Sequence, residues 1–263
     1  GHVLLDRRHL GPEAGPSPFR MSGSVRAVSV PPGIDAKHAF AVELKRMEKK
    51  GHDETPSIVM TPDAIVKHMD AFLTLEAPAP CSPGKMLAVG FNYRDHAEEF
   101  HTPIPTDPNI FLKPPSCLAP MQKVLYPRAL TRQVEYEAEL VVVIGRHARM
   151  SPRSRPRTIF WATPWARRHR PGSPVPHRAV GAVQGFDTFG PIGPCIVTDV
   201  DPRAGLEIES FVNGERKQHS NTRNLIFDPF HLVSYLSQAL TLEPGDVIFT
   251  GTPSGVSPVH PAT

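Results

Sequence analysis

The sequence predicts an α+β fold that is mainly β, and three observations carry that expectation. The 31 prolines among 263 residues favour turns, loops and short strands over long helices. The apolar runs are short, rich in β-branched residues and closed by glycine or proline, as at residues 85–90, 110–114 and 134–145. The longest of them, Val-Glu-Tyr-Glu-Ala-Glu-Leu-Val-Val-Val-Ile-Gly, places Glu135, Glu137 and Glu139 at alternate positions. In a strand these three carboxylates share one face beside strongly apolar neighbours. Like charges so close resist burial unless a cation or a proton offsets them. The run is therefore either an edge strand with its glutamates in water or one wall of a divalent-cation site, where Mg²⁺ takes one or two carboxylates plus water and substrate.

Composition narrows the classes. A hydrophobic content of 40% and a charged content of 21% fit a soluble globular chain, long enough for one large domain or two small ones. Cys81, Cys117 and Cys195 form no CxxC pair, which suggests neither a disulfide framework nor a zinc site and fits a reducing compartment. The cytoplasm is the expected location, with the mitochondrion as the alternative. No apolar run reaches membrane-spanning length and no secretory signal is evident, so no membrane partner is expected. The net charge of +3 is local: residues 151–184 hold seven arginines and no Asp, Glu or Lys, leaving 22 basic against 26 acidic residues elsewhere. A general affinity for nucleic acid does not follow.

Taken in order, residues 1–84 form an N-terminal region, partly disordered with short helices. Residues 26–31 read as a short strand. A loose amphipathic pattern over 35–50 stops at Gly51, and Thr61-Pro62-Asp63 caps a better helix lined by Ile65, Val66, Met69, Phe72 and Leu73. Prolines from 78 to 83 make a linker. After the strand at 85–90, a helix from Asn92 would set His96 and Glu99 at i and i+3, a spacing at which a carboxylate fixes the imidazole tautomer for general-base work or forms a plain surface ion pair. The strand at 110–114 ends in Lys113, suited to an anionic substrate or to solvent.

Gly-Phe-Asn-Tyr-x-x-His-x-x-Glu, Phe-Leu-Lys-Pro and Tyr-Glu-x-Glu-Leu-x-Val-Val-Ile-Gly occur in that order. They are followed by Gly-Phe-Asp-Thr-Phe-Gly-Pro-Ile-Gly-Pro at 185–194, Val-Asn-Gly-Glu at 212–215, Pro-Gly-Asp-Val-Ile at 244–248 and Thr-Gly-Thr-Pro-Ser-Gly-Val at 250–256. This series resembles the fumarylacetoacetate hydrolase family over about residues 85–256. The resemblance implies a mixed β-sandwich roll of the fumarylacetoacetase C-terminal domain type, with residues 85–256 as the catalytic domain and 257–263 as a tail. It implies a homodimer that hydrolyses or decarboxylates small β-dicarbonyl acids such as acylpyruvates with bound Mg²⁺, Mn²⁺ or Ca²⁺. By position Glu137 and Glu139 match metal ligands, with Glu135 a bystander. His96, oriented by Glu99, matches the general base. Lys113 and Thr250 match substrate-binding residues.

Two departures bear on activity. The family's segment after Gly145 supplies a third metal ligand, an Asp, with Arg and Gln groups and then a lysine; here 151–184 is Arg/Pro-rich, and Gln184 or Val183 stands near the lysine's place. Codons permitted for residues 159–166, 166–170 and 183–185 can also spell Ile-Leu-Gly-Tyr-Thr-Val-Gly, His-Asp-Val-Thr-Ala and Cys-Lys-Gly in shifted frames. A frame error or mis-called intron would account for the departure, an intact transcript frame would refute that account, and a natural basic insertion is the alternative. The chain also stops soon after Val256, where the family adds a further strand or two, so a C-terminal truncation is expected. Together these predict impaired activity, with a non-catalytic scaffold or ligand-binding relative as the alternative.

Overall fold

A computed structural model describes residues 79, 81–120, 124–131, 133–153, 184–193, 196, 201–213 and 215–259, and the backbone of 158–169. The helices expected at 35–50 and 61–73, the strand expected at 26–31 and most of the Arg/Pro-rich segment lie outside the described residues. Among those described, the elements are β1 (Met86–Gly90), α1 (Arg94–Glu99), β2 (Asn109–Lys113), β3 (Leu118–Pro120), β4 (Val134–Ile144), β5 (Thr158–His169), β6 (Gly190–Ile192), β7 (Glu207–Val212), β8 (Glu215–Asn221), α2 (Pro229–Ala239), β9 (Val247–Phe249) and β10 (Pro258–Val259). The fold is α+β and mainly β, as the proline content and the short apolar runs predict. None of these helices is long and apolar enough to cross a membrane.

The main sheet runs β10-β4-β9-β1-β2, with β5 also paired to β4. It is mixed: β1 runs parallel to β9, while β2 pairs antiparallel with β1, and β9, β5 and β10 pair antiparallel with β4. Two-stranded sheets, β3 with β6 and β7 with β8, complete it. The central strands are covered on both faces, which explains their near-continuous apolar sequences. Met86, Ala88, Val141, Val143, Val247 and Phe249 pack into one core; Leu87, Val89, Val142, Ile144 and Ile248 pack into a second, beneath α2.

Every residue of β4 is buried, the glutamates included. The edge-strand reading of residues 134–145 therefore gives way to an interior strand. Val134 and Tyr136 share a core with Val141 and Val143, so strict alternation breaks across the stretch that carries Glu137 and Glu139. Pairing with β5 slips there as well, from Glu137↔Ala166 to Glu139↔Thr163. The two β5 residues left out of the register are Pro164 and Trp165. A proline cannot donate to a ladder, so it sits where pairing is already broken. Within the Arg/Pro-rich segment 151–184, the β-branched and aromatic residues at 158–163 make the first half of a strand.

Buried Asp246, in the Pro-Gly-Asp turn, fixes the start of the sheet. Its carboxylate accepts the Lys85 N–H at 2.8 Å and the Glu243 N–H at 2.7 Å, and pairs with Lys85 Nζ at 2.6 Å. Asp228 caps α2: its Oδ1 accepts the His231 N–H at 2.8 Å and its Oδ2 accepts from Arg153 Nη2 at 2.7 Å, with Pro229 in the first turn.

Burial opposes ionisation of Asp228, but the hydrogen bonds from Arg153 and His231 outweigh it and hold the carboxyl below the usual aspartate value. A folded pKa depressed below the unfolded one contributes stability above the unfolded pKa and loses it as pH falls through the folded pKa. Asp228→Ala is therefore expected to cost about 1 kcal/mol at neutral pH. In urea titrations the wild-type advantage should shrink as pH falls through and below the ordinary aspartate range, about 3.9.

Candidate active site

The site grows from β4. Glu137 and Glu139 are 5% and 6% exposed, and the neighbouring chain compensates them with three kinds of donor. The Gly251 N–H donates to Glu139 Oε2 at 2.7 Å. Gln184 Nε2 donates to Glu137 Oε2 at 3.3 Å, and Gln184 Oε1 in turn accepts from Lys113 Nζ at 3.2 Å. Lys113 is 2% exposed, with its ammonium over the Phe249 ring. The result is a buried chain of ammonium, carboxamide and carboxylate. Burial, and then the adjacent Glu137, push the Glu139 carboxyl up to about 8 against the opposing effects of Lys113 and the Gly251 N–H. Burial likewise lowers the Lys113 pKa, while Cys117, Glu139 and Glu137 act to hold it up. Among the described residues this compensation leaves the Glu139 carboxyl raised. Two oxygen-donor carboxylates in this state suit a hard divalent cation, and that chemistry is the fit of the residues present to Mg²⁺, Mn²⁺ or Ca²⁺. Glu135, also buried, accepts from Gln133 Nε2 at 2.8 Å.

The second half of the site comes from α1. His96 is buried, and its Nδ1 lies 3.0 Å from Glu99 Oε2. A carboxylate at Nδ1 assigns the neutral ring's proton to that nitrogen, which leaves Nε2 as the acceptor. Phe91 stacks on the imidazole with centroids 5.4 Å apart and a 21° interplanar angle, and Phe100 meets it edge-on at 5.0 Å. Phe91 holds this place with φ of 53°, a left-handed backbone that a bulky side chain rarely adopts.

One turn joins the halves. Residues 250–255 place Gly251 on Glu139 and Gly255 on Glu99, whose Oε1 accepts the Gly255 N–H at 3.1 Å. Asn92, fully buried, donates from Nδ2 to the Thr250 and Phe227 carbonyls at 2.8 and 3.0 Å and accepts the Phe227 N–H at 2.8 Å. The start of α1 is thereby fixed to the turn. Thr250 donates its hydroxyl to the Leu140 carbonyl at 2.7 Å, tying the turn to β4. Ala138 has no partner residue in β5, and its N–H donates to Gln218 Oε1 at 2.9 Å. Gln218 Nε2 donates to Thr252 Oγ1 and the Pro253 carbonyl.

Residues 85–263 match the family model of the fumarylacetoacetate (FAA) hydrolase C-terminal domain. The chain belongs to the fumarylacetoacetate hydrolase family. Its fold is similar to that of 5-carboxymethyl-2-hydroxymuconate delta-isomerase from Mycobacterium smegmatis, with TM-score 0.62 and 39% identity over 70% of this chain and 73% of that one. It is similar to fumarylpyruvate hydrolase from Pseudomonas aeruginosa in complex with Mn²⁺ and pyruvate, with TM-score 0.61 and 28% identity over 80% and 90%. In sequence it is 37% identical over 191 residues to the mitochondrial oxaloacetate tautomerase of Bos taurus, 66% of this chain and 57% of that protein. The fumarylacetoacetate hydrolase family thus includes hydrolases, isomerases and tautomerases, with a divalent metal in at least one.

The six positions singled out from sequence fall into three sets: His96 pairs with Glu99, which accepts from Gly255; Lys113 reaches Glu137 through Gln184; and Glu139 accepts from Gly251, the neighbour of Thr250, which itself donates to Leu140. Sequence reasoning noted Gln184 only as standing near a missing lysine. Its amide is what links Lys113 to the glutamates. Asn92, Gly251 and Phe91 lay inside quoted motifs and carried no assigned role. Among the described residues, no third Asp, Glu, His or Cys joins Glu137 and Glu139 within ligand-sharing distance. The one such trio is Glu207, Glu209 and His219 on the β7–β8 hairpin, where Arg216 already pairs with Glu209 at 2.9 Å and His219 with Glu207 at 3.1 Å.

Gly251 has φ of 95°, and a Cβ there would lie 3.0 Å from Asn92 Cβ and 3.1 Å from the Val89 carbonyl. Gly251→Ala is expected to destabilise by about 2 kcal/mol or more, from left-handed backbone strain and crowding against backbone. Denaturant unfolding of the variant measures this; a loss below half that size would mean that the turn can relax.

Proposed function

We propose that this chain is a divalent-metal-dependent enzyme that cleaves a carbon–carbon bond in small β-dicarbonyl acids of the acylpyruvate type. The observation that carries the reading is the pair of buried carboxylates, Glu137 and Glu139, joined by one turn to a buried His–Glu pair. The family's hydrolases, and the Mn²⁺ and pyruvate held by the fumarylpyruvate hydrolase relative, support the substrate class.

Glu137 and Glu139 would hold the cation, which when bound supplies positive charge that polarises carbonyl oxygens. The protein's own residues do the rest. Lys113 offers its Nζ to the substrate's carboxylate, and the Thr250 turn walls that end. Glu99 accepts from Nδ1 and directs Nε2 of His96 outward as the proton acceptor. His96 takes a proton from water as the water oxygen bonds to the distal ketone carbon. The bond from that carbon to the methylene then breaks, its electron pair staying on the methylene as an enolate. The proton held by His96 returns to that methylene carbon. A carboxylic acid and an α-keto acid result, with one water consumed. Residues 151–184 contain no carboxylate, so turnover should be low even if cation binding persists.

Two measurements test the reading. Calorimetry should show Mn²⁺ binding to the chain and none to a Glu137→Ala, Glu139→Ala double variant; equal binding by both would move the metal off β4. With an acylpyruvate as substrate, His96→Ala should lower kcat by about 100-fold or more while leaving Mn²⁺ affinity unchanged. An unchanged kcat would remove His96 from the chemistry.

A further inference from the structure

Lys113 and Glu137 are buried in one site, yet no ion pair joins Lys113 to a carboxylate among the described residues. Direct contact is the usual way to bury a lysine and a glutamate together, because each charge then offsets the other's desolvation. Here the Gln184 carboxamide stands between them. Its Oε1 accepts from Lys113 Nζ at 3.2 Å, and its Nε2 donates to Glu137 Oε2 at 3.3 Å. Gln184 is itself 6% exposed.

The chain just after Gln184 holds the amide in place. The Phe189 N–H donates to the Phe186 carbonyl at 2.9 Å, which closes a turn, and the two rings meet edge-on with centroids 5.3 Å apart. Phe189 is buried in the core that contains Met86, and β6 goes on to pair with β3. Within the turn, Thr188 Oγ1 accepts the Leu125 N–H at 2.6 Å. The position also demands this residue type. A lysine donates and an ionised carboxylate only accepts, so the group between them must accept at one end and donate at the other. An ionised glutamate would have no proton for Glu137, and a leucine or methionine would serve neither partner.

We propose that Gln184 is a positioning residue that keeps Lys113 and Glu137 apart, leaving the carboxylate to a divalent cation and the amine to the substrate's carboxylate. The inference rests on the function proposed above and deepens it. The amide satisfies one oxygen of Glu137 with a neutral donor and brings no positive charge to it. Without the amide, Lys113 Nζ on its flexible four-carbon stem closes on Glu137. Contact with the carboxylate favours the charged amine, and the ion pair so formed competes with a cation.

The test is a double-mutant cycle in the full chain, read by calorimetry with Mn²⁺ alone as the probe. Gln184→Met keeps the length of the side chain without its polar ends, and is expected to weaken Mn²⁺ binding about tenfold or more. Lys113→Met is expected to strengthen binding about tenfold more in the Gln184→Met background than in the wild-type chain, because only there has the amine closed on Glu137. A side chain that merely fills space would not produce this coupling. Equal Mn²⁺ affinity of Gln184→Met and wild type would overturn the proposal. So would a weakened Gln184→Met whose response to Lys113→Met matches that of the wild type. If thermal unfolding shows that Gln184→Met does not fold, Gln184→Ala removes the same amide and carries the cycle. Absence of Mn²⁺ binding by the wild-type chain would instead bring down the proposed function, and this inference with it.

Discussion

Two carboxylates buried side by side on the central strand set the terms for the rest of the molecule. Glu137 and Glu139 sit on an interior strand whose other residues, Glu135 apart, are mainly apolar, where each charge is strongly disfavoured unless it is matched. The match comes from three distant parts of the chain: the Gly251 N–H, the Gln184 amide and, through that amide, the Lys113 ammonium. Such an arrangement is poor at stabilising a fold, since apolar residues in those positions would pack without the desolvation penalty. It is well suited to receiving a cation, because burial and then the repulsion of Glu137, which raise the Glu139 pKa, are both offset by a divalent ion.

That constraint propagates through the 250–255 turn. The turn must present an N–H to Glu139, and only a left-handed glycine at 251 presents it so close to Asn92. Asn92 then fixes the first residue of the loop that becomes α1, and α1 carries His96. Gln218 performs the matching task on the opposite side, taking the Ala138 N–H that the slipped register leaves outside the β4–β5 ladder. A side-chain amide can do this because it donates and accepts at once, so one residue closes the ladder gap and pins Thr252 and Pro253. The bulge, the turn and the helix start are one mechanical unit.

The parts legible in the sequence are those with a local period or spacing. The run at 134–145 announces a strand, and the His96–Glu99 spacing gives a pair that the structure places 3.0 Å apart. Lys113, read as either solvated or functional, is buried, and the sequence could not decide this because burial depends on β9 and Gln184, both remote in the chain. The same is true of Glu137 and Glu139: alternation shows a shared face, but whether that face meets water depends on strands paired across more than 100 residues, as Val141↔Phe249 is. The strand at 158–169 was obscured by its arginines and by Pro164, which normally argues against a strand interior. The bulge accommodates that proline, and bulges leave no reliable mark in a single sequence.

The crowding around His96 bears on which chemistry the site can support. Hydrolysis and tautomerisation of a β-dicarbonyl acid share one need, a base that exchanges a proton with the methylene carbon, and differ in whether water also attacks. Phe91 covers one face of the imidazole and Phe100 meets it edge-on, while Glu99 takes Nδ1. Under the proposed function Nε2 is the edge left to accept a proton, and one proton acceptor would serve either reaction. The strained backbone at Phe91 fits this view, since a left-handed phenylalanine persists only where the surrounding structure fixes its ring. What separates the two outcomes is then not the base but whatever admits or excludes a water beside it. In the proposed function a base of this kind would suit hydrolysis, isomerisation and tautomerisation alike, the activities named for relatives of this chain.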